Sequence, residues 1–460
     1  MLKAGAARID ISPPLGTHLA GDVGGYRPAE GQLDSLYASA LVFESEGRRL
    51  AFLSLDVTII TQEWTDFIRA GAAGLGFEPE AVMVHATQTH SAPPMGRFML
   101  DEDWPWPVGE AEWLWGGEAA YSQGAAEKAV EALQKAFEAM EPVELAFGSA
   151  IEGRYAHNRR AITRDGGITM PWKSWAGGAR GPVWIRYIEG PMDPEVGVMA
   201  VRNGRGELAA ALLHYTCHPV HIYPKQLISA DWPGAWGAAF RTRCGADCVP
   251  LVANGACGNL NPWPPFDPDY VEDHLKMGEV LAERAEAALE EALYSSEGPL
   301  DWRVARLALP LREVTKAQLA WAEGILCEHP EPEWADEGHM RTTSDWIAAA
   351  SLYSVFLQYQ RCATLDYEIQ VLRIGNLALV GLPGEPFVEG QLAIKLASPT
   401  WPTWIAHCTT QYVGYVPTAE ALRRGGHEAT TRYWAKLQPD ALLQIVAQTS
   451  ALLEGLFSKA

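Results

Sequence analysis

The sequence predicts an α/β protein with a mixed, largely parallel central sheet covered by helices on both faces. Two observations carry this. Short apolar runs alternate with longer segments whose apolar residues recur every three or four positions. Several of those runs end in polar, chemistry-bearing residues, as in open α/β sheets that bind ligands beyond the carboxyl ends of their strands.

In chain order the strand candidates are Ala40–Glu44, Leu50–Leu55, Ala81–Val84, Val143–Phe147, Gly197–Val201, Leu208–Leu213, Cys248–Ala253, Tyr367–Ile374 and Leu377–Leu382. Three segments carry helical spacing. Ala126, Val130, Leu133, Phe137 and Met140 share one face, as do Met277, Leu281, Ala285, Ala288 and Ala292, and Leu442, Ile445, Thr449, Leu452 and Leu456. Residues 96–118 and 165–185 fit neither period and are rich in Trp, Pro and Gly. Aromatic loops of that length suit either a lid over a ligand or packing against the body. No repeat or linker divides the chain. One domain over 1–460 is expected, with a helical excursion at 310–365.

The 460 residues include 36 Lys+Arg and 57 Asp+Glu, a formal charge of −21. That balance opposes a nucleic-acid or anionic-lipid surface. With 48% hydrophobic residues the chain folds around a large core. Seven scattered cysteines form no disulfide framework and read as reduced thiols. The N-terminus shows no apolar signal region, and no stretch is apolar enough to span a bilayer. A cytoplasmic protein is expected, with a small-molecule substrate and neither nucleic acid nor membrane as partner.

The chemistry collects past the ends of the apolar runs. Asp56 follows one. His85, Gln88 and His90 end another, then His214, His218 and His221, then Asn254, Cys257, Asn259 and Asn261, and finally Glu385. Imidazoles and a carboxylate from separate strand ends are the donor types of a zinc site that keeps one position open for water. The competing reading of each histidine is a satisfied structural residue.

At these same residues the sequence resembles the catalytic domain of neutral ceramidases, the neutral/alkaline zinc amidases. Ala86-Thr87-Gln88-Thr89-His90-Ser91-Ala92-Pro93 resembles the family's Thr-His-Thr-His-Ser-Gly-Pro. Asn158-Arg159, Cys217-His218-Pro219-Val220 and Leu227-Ile228-Ser229-Ala230-Asp231 follow in the family's order. So do Gly258-Asn259-Leu260-Asn261-Pro262, Leu382-Pro383-Gly384-Glu385 and Tyr412-Val413-Gly414-Tyr415-Val416-Pro417-Thr418.

The resemblance implies a neutral-ceramidase-like catalytic domain, with no C-terminal immunoglobulin-like domain expected in this chain. It implies a Zn2+ ion on His218, Glu385 and Tyr415. Gln88 stands where the family has its first histidine ligand, and three outcomes are open. His90 swings in to complete the set; His85 or His221 substitutes; or the metal is weak or absent. His90 also matches a family histidine beside the substrate and is the expected general acid. Arg159 matches the arginine that grips polar substrate atoms; its competing reading is a surface charge in the run from Arg154 to Arg164. Asn261 stands at the family's catalytic-site serine and Asn259 at the preceding aspartate. His427 stands at a second tyrosine, where it restores a titratable group or a ligand.

The expected catalytic set is therefore His90, Arg159, Asn261, Tyr415 and His427. Gln88, Arg159 and Asn259 contact substrate, and His90, His218, Glu385 and Tyr415 bind metal, with Asp56 or Asp231 orienting a histidine from behind. The implied activity is zinc-dependent hydrolysis of a C–N amide bond in a small N-acyl or lactam-type substrate. The alternatives are a metal-dependent esterase and a non-catalytic or metal-free ligand-binding protein on the same scaffold.

Overall fold

The computed structural model describes residues 1–171, 185–267 and 269–457. Residues 172–184, within the second Trp-rich stretch, lie outside the described residues. Twelve strands form two sheets that organise the rest. The first comprises β1 (Lys3–Asp10), β2 (Tyr37–Ser45), β3 (Arg48–Leu55), β4 (Val82–Ala86), β5 (Glu141–Ile151), β6 (Glu195–Asn203), β7 (Leu208–Tyr215) and β8 (Val249–Asn254). Their spatial order is β8-β7-β6-β5-β1-β2-β3-β4. The second comprises β9 (Leu300–Pro310), β10 (Thr364–Ile374), β11 (Leu377–Gly381) and β12 (Thr403–Ala406), in that order.

The mixed α/β class is observed, but the sheets are not largely parallel. In the large sheet only the edge pairs β3–β4 and β7–β8 are parallel, and the strands between them are antiparallel. The cause lies in the connections. Glu46-Gly47 turns β2 into β3 with φ of 51° and 79°. The turn that joins β6 to β7 is closed by Gly206 N donating to Asn203 O at 2.9 Å. Links this short permit a hairpin and no crossover.

The second correction concerns the layers. Among the described residues helices cover only the outer face of each sheet, and the inner faces pack on one another. Alternate residues show this directly. Ala38, Ala40 and Val42 of β2 meet the helical layer, whereas Leu41 and Phe43 join Leu372, Leu379 and Trp404 of the second sheet. The apolar runs thus signalled burial on both faces, but a sheet covers one of them. The outer layer on the large sheet is α1 (Gln62–Ala73), α2 (Ala119–Glu138), α3 (Asp231–Cys244) and α4 (His274–Glu290). Truncating a fully buried side chain such as Phe52 at the sheet–sheet interface costs about 3–5 kcal/mol.

The excursion at 310–365 contains α5 (Lys316–Glu328) and α6 (Ser344–Arg361). They enclose a separate cluster with Leu100, Trp104 and Leu114 of the aromatic loop. On the outer face of the second sheet lie α7 (Val388–Ala397) and, after the short α8 (Ala419–Arg424), the C-terminal α9 (Ala441–Phe457). Among the described residues no helix is long and apolar enough to cross a membrane. All seven cysteines are free.

Candidate active site

The segments that follow β4, β7, β8, β11 and β12 converge at one end of the sheet sandwich. Backbone bonds and two histidines knit them together. His407 N donates to Asn254 O. His85 Nδ1 lies 2.6 Å from His407 O, and its Nε2 accepts from Asn254 N at 3.1 Å. Both nitrogens of His85 are therefore used by backbone. His221 is likewise held between Asp231 (3.1 Å) and the Tyr270 hydroxyl (3.0 Å). Neither substitutes for the family's first ligand. Asp231 does orient a histidine, His221. Asp56 does not: it accepts from Tyr37 N and Thr87 Oγ1, and burial raises its carboxyl to about 7.

At the centre His218 meets Glu385. His218 Nδ1 lies 2.7 Å from Cys257 O and 2.9 Å from Leu260 O, so this nitrogen carries a proton. Nε2 sits 3.0 Å from Glu385 Oε2. An unprotonated ring nitrogen and a carboxylate are both acceptors, so this contact needs a second ring proton or a bound cation between them. Burial alone would raise the Glu385 carboxyl. The His218 contact, Arg159 and the Tyr412 hydroxyl, which donates to Oε1 at 2.7 Å, outweigh it and hold the group at about 2.

Arg159 is buried, and each of its three nitrogens donates a hydrogen bond. Nε pairs with Glu428 at 2.7 Å, Nη1 donates to Asn261 Oδ1 at 3.2 Å, and Nη2 donates to Gly258 O (2.8 Å) and the Tyr415 hydroxyl (3.1 Å). The surface-charge reading of Arg159 is thereby excluded. Arg160 shares Glu428 at 2.9 Å. Burial pushes the Tyr415 phenol well up, as does Glu385.

His90 packs edge-on against His218, ring centroids 5.5 Å apart. Burial, followed by the His218 charge, pushes it down to about 3. A ring held there is neutral at neutral pH. The close approach is allowed by Gly21, at φ +97°, where a Cβ would lie 2.3 Å from His90 Nδ1. Gln88, at φ 68°, holds its Oε1 3.7 Å from Cys257 Sγ. Asn259 is not among the residues that line the cavity. Its Oδ1 accepts from Val388 N at 3.0 Å and its Nδ2 donates to Glu389 at 2.9 Å, which fixes the start of α7. His427 lies 5.6 Å from the Tyr415 ring and stacks on Trp434.

The site opens on a cavity of about 410 Å³. Gln88, His90, Arg159, Asn261, Glu385, Tyr415 and His427 all reach it. Phe98, Trp113, Tyr223, Trp263 and Trp434 supply aromatic walls. The loop 96–118 thus divides its work: Phe98 and Trp113 face the cavity, while Trp104 is buried with α6. Sequence reasoning missed two partners. Glu428 follows His427 directly, and Tyr412 opens the motif that supplies Tyr415.

The donor set fits a cation in part. His218 Nε2 and Glu385 Oε2 face each other as ligand atoms do, with His218 oriented by backbone carbonyls behind it. Among the described residues, no three His, Cys, Asp or Glu side chains gather as a metal-binding group. A cation placed here would draw on His218 and Glu385, with His90, Gln88 and the Tyr415 phenol as the nearby polar groups.

No protein-family model matches the sequence, and no curated protein matches it significantly. Solved structures do. The chain is similar to neutral ceramidase from Pseudomonas aeruginosa, with TM-score 0.69 and 19% identity, over 99% of this chain and 74% of that one. It is also similar to a ceramidase complexed with C2, with TM-score 0.68 and 19% identity, over 99% and 75% of the two chains. The fold is neutral-ceramidase-like.

Proposed function

We propose that this protein hydrolyses the C–N amide bond of a small N-acyl or lactam-type substrate, with zinc held by His218 and Glu385. The observation that carries the reading is the Arg159 fork. Arg159 binds Asn261 through Oδ1, which leaves the Asn261 amide N–H groups to donate into the cavity. It binds Tyr415 through the phenol oxygen, which leaves the phenol proton to do the same. Two donors on the wall of one cavity are what a tetrahedral oxyanion needs.

When bound, zinc supplies carbonyl polarisation and an acidified water. Glu385, held ionised, balances the positive charge. His90 beside His218 and His427 beside Tyr415 are the nitrogen groups available to pass a proton toward the departing amine. The cavity volume and its aromatic walls suit a modest ligand. A cytoplasmic setting belongs to this proposal, and the seven free cysteines accord with it.

A second reading has its own support: Gln88 and Asn261 occupy positions where the resemblance implies a ligand and a hydroxyl, which favours a metal-free binding protein. A panel of small amides, lactams and esters, each assayed with and without a chelator, separates the readings. Chelator-sensitive amide turnover is expected. Turnover confined to esters points to an esterase. Turnover of no member overturns the hydrolase in favour of binding.

A further inference from the structure

We propose that a second cavity, beneath Lys436, is a binding site for a small monocarboxylate. This cavity measures about 580 Å³ and shares with the active cavity only the wall formed by Phe98 and Tyr412. Those two rings meet edge to face, centroids 5.2 Å apart.

Lys436 lines this cavity and is 5% exposed. Its backbone is fixed by the bond from Arg312 N to its carbonyl at 2.7 Å. Its ammonium makes no hydrogen bond or ion pair with any described residue. Among the described residues it lies over the face of Tyr433, 3.8 Å from nitrogen to ring centroid, and Asp101 attracts it from beyond hydrogen-bond distance. A cation–π contact offsets part of the cost of burying a charge, and an anion offsets far more. Burial accordingly pushes the ammonium down to about 7.

Two other cations line this cavity, and neither is a buried free charge: Arg97 is exposed and lies over the Trp115 ring, 5.0 Å from its centroid. Arg361 already binds Asp101 at 2.9 Å, Glu102 at 3.0 Å, and Asp103. Tyr433 donates its hydroxyl to Asp101 as well. Gln358 also lines the cavity, and its buried Oε1 has no partner. Turning that amide over presents its N–H groups to an anion instead.

Charge sets the ligand class. One buried ammonium neutralises one negative charge. Asp101, Glu102 and Asp103 stand around Arg361, and Glu63 and Asp366 stand at the cavity rim. This surplus of carboxylates repels a dianion about twice as strongly as a monoanion, and only the monoanion's charge is matched by the single ammonium. A compact group with a single charge and two acceptor oxygens is what remains, and a carboxylate meets both conditions. The site lies outside the amide-hydrolysis machinery, and its occupancy is measured without turnover.

The test is calorimetric titration of the full-length chain with acetate, and separately with inorganic phosphate, at matched ionic strength. Acetate is expected to saturate at about millimolar concentration, with phosphate weaker by about tenfold or more. Lys436→Met should lower acetate affinity by about tenfold or more and leave the melting temperature unchanged or higher, since an apolar side chain suits the buried position. Lys436→Gln supplies the same comparison if the Met variant does not fold. Failure of acetate to saturate, affinity that survives both substitutions, or phosphate binding as tight as acetate each overturns the proposal.

Discussion

Replacing Glu428 with Gln tests whether the Arg159 fork is built as described. Glu428 is 2% exposed and bridges two guanidiniums, Arg159 Nε at 2.7 Å and Arg160 Nη1 at 2.9 Å. Burial alone would raise its carboxyl; Arg159, His427 and Arg160 instead depress it from 4.5 to about 2. At about 1.4 kcal/mol per pH unit, that depression corresponds to about 3 kcal/mol of folding stability. The figure agrees with the about 3–5 kcal/mol lost when one partner of a buried pair is removed.

The sign follows from the depressed value. An unfolded carboxylate releases its proton near 4.5, so the stabilisation is fully present above that pH and fades as pH falls toward 2. In Glu428→Gln the new amide also turns an N–H toward an arginine donor, so the isosteric change removes a hydrogen bond as well as a charge. Urea unfolding at a series of pH values reads the difference. The variant should be less stable by about 3 kcal/mol at pH 7, with the gap closing in acid. A gap under about 1 kcal/mol at pH 7, or one that does not shrink below pH 4, refutes the buried pair as drawn.

Four further outcomes are expected. His218→Ala should lower zinc content, read by elemental analysis of purified protein; unchanged stoichiometry would remove His218 from the ligands. Asn261→Ala should lower kcat by about a hundredfold with little change in KM, as loss of one oxyanion donor does; a pure KM effect would assign it to ground-state binding. Gly21→Ala should disturb the His90 ring, because its Cβ would lie 2.3 Å from Nδ1, and should cut activity more than stability; full activity would show that His90 has no role. His90, held near 3 by burial, should leave no inflection between pH 5 and 8 in a direct imidazole titration by NMR. Its neutral folded form also means that stability associated with it is lost as pH falls through 6.5 toward 3.

Much of the fold could be read from the sequence because its strands are continuous apolar runs. Each of the nine strand candidates falls on an observed strand. The three missed strands of the two sheets have physical reasons. β1 is Ala- and Gly-rich, β9 interleaves Asp301, Arg303 and Arg306 with apolar residues, and β12 spans only Thr403–Ala406. The layer order was hidden because an apolar face does not specify whether a helix or a sheet will cover it. In the site, motif order brought out His90, Arg159, His218, Glu385 and Tyr415, all of which meet. Asn259 looked chemical by position yet serves α7, because only geometry shows where an amide's donor and acceptor are spent. Glu428 and Lys436 were silent for the opposite reason. A charged residue in a polar stretch reads as solvated until its burial is known.

The central claim is that His218 and Glu385 share a metal ion in the cavity. Diffraction from zinc-soaked crystals above and below the zinc edge addresses it directly. An anomalous peak between His218 Nε2 and the Glu385 carboxylate, lost in His218→Ala, is the predicted result. The same contact with no anomalous density, in crystals whose His218 imidazole is doubly protonated by neutron diffraction, would contradict it.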